Sequence, residues 1–182
     1  MKLPLIAPAL ALAALGTGQT AQAQQSCIAP EDVTDMVTYI VPLAFDAAMQ
    51  TCDAQYEASG FMKTKGDAFA DRFRAKQDAA WPGAYRLGKQ MMATRAAERA
   101  GEGDAADAGM IELIDQMPDD QVRPFVDGFI QQVISSEIKP DTCSNIERGL
   151  ALLSPLPVEN TSGLVTFVLQ MTGVKDPQIC PA

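Results

Sequence analysis

A chain of 182 residues with 23 acidic and 14 basic side chains, a formal net charge of −9 and 47% apolar residues has the composition of one globular domain, not of a disordered tail. It contains no histidine and four cysteines. The usual general base of serine and cysteine hydrolases, the commonest zinc ligand and an imidazole pH switch are therefore excluded, and the acidity argues against nucleic acid as a partner.

Residues 1–23 read as a secretory signal peptide. Lys2 supplies the positive start, an Ala- and Leu-rich stretch runs from Leu3 to Leu15, and Ala21-Gln22-Ala23 places small residues where a signal peptidase cuts. Cleavage is expected after Ala23, leaving a periplasmic or secreted chain. The apolar stretch is about 13 residues long and holds Pro4 and Pro8, too short for the roughly 20 needed to span a bilayer. Cys27 follows Gln24-Gln25-Ser26, which argues against a lipoprotein. No later segment predicts a membrane span. The expected mature chain, 24–182, is a single helical domain with 13 basic and 23 acidic residues, a formal charge of −10.

Cys27, Cys52, Cys143 and Cys180 all remain after cleavage, and no two are closer than 25 residues. That spacing offers no C-x-x-C unit for zinc or for a redox thiol, so two disulfides in an exported chain are expected.

The elements are predicted to be helices. Val33, Met36, Val37, Ile40, Ala44 and Ala47 recur at spacings of three and four behind Pro30, Glu31 and Asp32. The phase continues past Pro42 through Phe45, Met49, Cys52 and Tyr56, predicting one kinked helix of some 28 residues stopped by Ser59-Gly60. A basic linker, Lys63 to Gly66, leads to a second helical stretch with Phe69, Phe73, Ala80, Ala84, Leu87 and Met91 on one side. Trp81-Pro82 predicts a kink or two abutting helices there, because the residue before proline resists the helical region.

Gly101 and Gly103 break the pattern, and Met110, Leu113, Ile114 and Met117 mark a short helix closed by Pro118. The clearest helix follows, with Asp119 or Asp120 as N-cap. Its apolar face, Val122, Phe125, Val126, Phe129, Ile130, Val133, Ile134 and Ile138, is expected to be core. Pro140-Asp141-Thr142 caps a helix carrying Ile146, Leu150 and Leu153, and 154–157 is a turn. Residues 159–172 read as a buried helix ended by Gly173, although the run 164–169 also suits a strand. The expected fold is all-α: a single bundle of about five to seven helices with two disulfides.

A helix over 30–51 separates its ends by roughly 33 Å, too far for Cys27 to bond Cys52. Pairing Cys143 with Cys180 would force that bond. Cys52 with Cys143 and Cys27 with Cys180 are the expected pairs, the second tying both tails to the core.

Chemistry has few candidates. Residues 63–99 hold nine bases and four acids inside an acidic chain. At helical spacing, though, Arg72, Lys76, Arg86, Lys89, Arg95 and Arg99 spread around a solvated face, and do not form one anion site. Asp46, Asp53 and Glu57 form a carboxylate stripe with no calcium-loop pattern beside it or beside Asp104 and Asp107. Met91-Met92 are adjacent and cannot converge on one copper ion. No nucleophile, phosphate-loop, dinucleotide or metalloprotease motif occurs, so no catalytic, cofactor or metal residue is assigned.

The function expected from these readings is an exported helical binding or adaptor protein for a protein or apolar ligand in the cell envelope. One alternative is a cell-wall glycosidase using carboxylates alone, with Glu57, Glu98 or Glu112 as its acid. The other is a structural envelope component.

Overall fold

Pro30 occupies the first turn of helix α1 (Pro30–Cys52), where its missing N–H costs nothing, and Glu31 and Asp32 follow at the favourable end of the dipole. The computed structural model describes residues 27–99, 109, 114, 116–173 and 178–180. Pro42 lies inside α1 without ending it, and no residue from 32 to 49 is exposed. This helix is therefore central: the other helices cover it on all sides.

The first helix is shorter than its periodicity predicts. It stops at Cys52, and Asp53–Gln55 tighten into a 3-10 turn that leaves Tyr56 extended. Two tertiary demands override the periodicity. Cys52 is bonded to Cys143, and Tyr56 turns into the cluster that also holds Phe45, Ala48 and Met62.

The basic linker proves partly helical, as the single turn α2 (Phe61–Thr64), and Lys65 joins it to α3 (Gly66–Arg74). A Cβ at Gly66 would lie 2.6 Å from Cε2 of Phe45, so glycine is what lets α3 approach α1. α4 (Gln77–Arg99) contains Pro82 and runs through it as one helix, not as two abutting ones. The break between helices falls at Ala75–Lys76, where the Lys76 N–H donates to Phe73 O and the Gln77 side-chain amide donates to Tyr39 O. Pro82 is exposed, so it removes one helix bond on the solvent side while Ala80 and Ala84 stay packed on α1.

The short helix expected over 110–117 lies largely outside the described residues. α5 (Asp119–Glu137) has Pro118, not an aspartate, at its N-cap; Asp119 and Asp120 occupy the first turn. A 3-10 turn (Pro140–Thr142) leads into α6 (Cys143–Leu153), and α7 (Val158–Met171) ends before Gly173, whose φ of 64° suits glycine. The run 164–169 is helical, so its β-favouring composition yields to the helix.

The fold is all-α. Among the described residues the only strand-like pairing is the bridge between Ile28 and Ile179, where the Ile28 N–H donates to Gln178 O and the Cys180 N–H to Ile28 O. Beside it Cys27 bonds Cys180, and Cys52 bonds Cys143 at the far end of α1. Between these staples lie Val33 and Leu87, then Tyr39, Leu43, Ala80 and Ala84, and then Phe69, Phe73 and Val158.

Candidate functional site

Helix α5 is held to the bundle by its charged residues. The hydroxyl of the buried Tyr39 donates to Asp127 Oδ1 at 2.5 Å, and Arg123 Nε donates to the same hydroxyl at 3.1 Å. Arg123 also pairs with Asp78 of α4 at 2.5 Å and lies over the rings of Tyr39 and Trp81, at 5.4 and 5.8 Å from their centroids. Burial, and next the bond to Asp127, push the Tyr39 hydroxyl above its ordinary pKa. Burial works against the Arg123 charge, but the bonds to Asp78 and Tyr39 outweigh it and raise its pKa.

Arg123 and Asp127 are four residues apart, on one side of the helix. Fixing that side inward rotates another side outward. Phe125 is 39% exposed, Phe129 58% and Val133 44%, which corrects the expectation that these three are core. Val122 is buried and Ile130 packs beside Tyr39 and Leu43, so the apolar residues are divided between the two sides. Every exposed position from 121 to 136 is uncharged.

α7 repeats this inversion with hydroxyls. Thr161, Ser162 and Thr166 are buried; Ser162 shares a 2.8 Å hydrogen bond with Thr38 of α1, and Thr166 a 3.0 Å bond with Thr34. Leu164, Phe167, Val168 and Met171 face solvent, so the helix is not the buried one expected. Apart from Glu159 in its first turn, α7 carries no charge.

Among the described residues, several bases of the basic run are held by separate partners. Arg74 pairs with Asp46 and Asp71, Arg86 with Asp32, Lys76 with Glu159 and Lys63 with Asp53. Arg72 donates to the carbonyls of Leu156 and Ser154, stapling the turn before α7. Lys89 sits 4.8 Å from the Tyr85 ring centroid, and the side chains of Arg95 and Arg99 lie outside the description.

The carboxylate stripe is divided in the same way. Asp46 and Asp53 each hold a different cation, and Glu57 is exposed in the turn beyond α1. The Glu98 side chain, Glu112, Asp104 and Asp107 fall outside the described residues. Among the described residues no three His, Cys, Asp or Glu side chains stand together as a metal site, and no helix is long and apolar enough to cross a membrane. Met62 is core, Met36, Met49 and Met91 pack against core clusters, and Met171 is exposed.

Comparison with protein-family models, curated proteins and solved structures finds no match.

The candidate site is therefore an outward face on α5, with a second on α7. Large apolar residues on an exposed, charge-free helix face are the composition of a protein interface core. The sequence signal for it was the pair Arg123 and Asp127 interleaved with the apolar residues Val122, Phe125, Val126 and Phe129. Two charges one turn apart there require partners, and whichever side finds them becomes the inside.

Proposed function

We propose that this is an exported helical binding or adaptor protein whose docking surface is the outer face of α5. One observation carries the reading: Arg123 and Asp127 point inward to Tyr39 and Asp78 while Phe125, Phe129 and Val133 point outward. A monomer gains nothing from exposed phenylalanines, whereas a partner that covers them gains their burial, about 25 cal/mol per Å² of apolar area. The outside of a helix is convex, which suits another polypeptide better than the concave pocket a small molecule needs. Export is supported by the signal-like residues 1–23 and by two disulfides, which persist in oxidising compartments.

The test is site-specific photocrosslinking in the producing cell, with the reactive side chain at Phe129 and, as control, at the exposed Asp67 of α3. A recurring adduct with one defined polypeptide at position 129, absent at 67, is the expected result. No adduct at 129, or the same adducts at both positions, removes the reading.

A further inference from the structure

We infer that the occupant of the α5 face is a cationic amphipathic helix of another polypeptide; this rests on the docking role proposed above. Phe125, Phe129 and Val133 are spaced four residues apart, so they form one ridge along about 12 Å of helix at 1.5 Å per residue. A ridge of i, i+4, i+8 side chains is what the groove of a second helix accepts. Three large side chains over two turns also match the anchor spacing of a helix-to-helix contact.

Charge selects among the polypeptides and surfaces that could cover such a ridge. The exposed positions of α5 from 121 to 136 include no base, so nothing there would hold a phosphate headgroup or an acidic peptide. Elsewhere Lys63, Arg74, Lys76, Arg86 and Arg123 each pair with a carboxylate. The field around a chain of formal charge −9 is negative, and at the C-terminal end of the ridge Glu137 is exposed, with Lys139 exposed two residues beyond it. That field repels an anionic membrane and a second copy of the chain, and it attracts a segment with lysine or arginine flanking an apolar stripe. The partner's apolar stripe covers Phe125 and Phe129, and its cations answer the net negative charge of the chain. Gln121 and Gln132, also exposed, supply amides for the polar rim.

The experiment measures binding of three labelled peptides to the oxidised protein by fluorescence anisotropy. The first is a leucine/lysine amphipathic helix, the second has the same residues in an order with no apolar stripe, and the third replaces lysine with glutamate. The first peptide is expected to bind about tenfold or more tightly than either of the others. Phe125→Ser with Phe129→Ser should lose that tenfold while the thermal midpoint stays unchanged. Val133→Thr, a milder change at the end of the ridge, should lose part of it and covers the case in which the double variant misfolds.

Equal binding of the lysine and glutamate peptides, still lost in the serine variant, overturns the cationic assignment and leaves the docking face standing. Binding of the lysine peptide that ignores both the order of its residues and the phenylalanines overturns the docking face itself. A dimer in light scattering that Phe129→Ser disperses makes the occupant a second copy. Flotation with phosphatidylethanolamine/phosphatidylglycerol vesicles that needs the phenylalanines makes it a lipid surface. Either result overturns the inference.

Discussion

The Tyr39 hydroxyl, on the central helix, donates to Asp127 Oδ1 across the junction with α5 at 2.5 Å, and this bond sets which side of α5 faces the bundle. Tyr39→Phe removes the donor and leaves Asp127 and Arg123 against an apolar ring. The expected cost is about 1–3 kcal/mol, the penalty of partly buried groups left unmade, with faster hydrogen exchange in α5 than in α4. Urea unfolding and exchange mass spectrometry measure both.

The same residue gives an alkaline dependence whose sign is fixed. The folded pKa of Tyr39 is raised above the ordinary 10.0, first by burial and next by Asp127. Its contribution is therefore complete below about pH 10 and is lost as the pH rises through the folded value, because the unfolded chain ionises first. Wild-type stability should fall above pH 10, and Tyr39→Phe should fall less. Tyr56, raised by burial and by Glu147, retains the remaining slope in the variant.

Two phenylalanines distinguish core from face. Phe73 is 0% exposed in the cluster with Phe69 and Val158, so Phe73→Ala should cost about 3–5 kcal/mol. Phe129→Ala should stay within about 0.5 kcal/mol, since the ring is already largely in water. Urea midpoints at neutral pH decide it. A large loss at 129 would return that residue to the core.

Gly83 of α4 sits against Asp35 of α1: a Cβ there would be 2.1 Å from Oδ2 and 2.8 Å from Cγ. Gly83→Ala should cost about 1–3 kcal/mol through overpacking, and Asp35→Ala should restore most of it in the double variant. Burial, and next Asp32, raise the Asp35 pKa above 3.8, so its ionised form costs stability at neutral pH. Asp35→Asn alone should therefore stabilise most near pH 7. That advantage should vanish as the pH falls through the raised value towards 3.8.

The two disulfides should open in order. Cys27 is exposed, whereas Cys52 and Cys143 are both buried, so a dithiol reductant reaches the first pair first. Stepwise reduction, alkylation and peptide mapping should label Cys27 and Cys180 before Cys52 and Cys143. Each bond closes a long loop, with separations of 153 and 91 residues, and should contribute about 3–5 kcal/mol. Simultaneous labelling of all four would show that the buried pair is no better protected.

The sequence by itself determined that the fold is helical and excluded one of the three cysteine pairings, for local reasons. Spacings of three and four residues place apolar side chains on one stripe whatever the helix packs against. A helix over 30–51 holds Cys27 away from Cys52 by its length alone. Where periodicity failed, a distant partner decided: Cys143 and the cluster around Tyr56 ended α1 at Cys52, and the packing of Ala80 and Ala84 kept α4 intact through Pro82.

Only the tertiary structure decided which way α5 and α7 face. In both helices apolar residues extend beyond one stripe, so more than one rotation would bury some of them, and the pattern is degenerate. The choice was made by polar groups whose partners are remote in sequence: Tyr39 lies 88 residues from Asp127, and Thr38 lies 124 residues from Ser162. A buried polar group needs its partner more than an exposed phenylalanine needs cover. The hydrogen bonds therefore fixed the inside, and the candidate docking face is what was left outside.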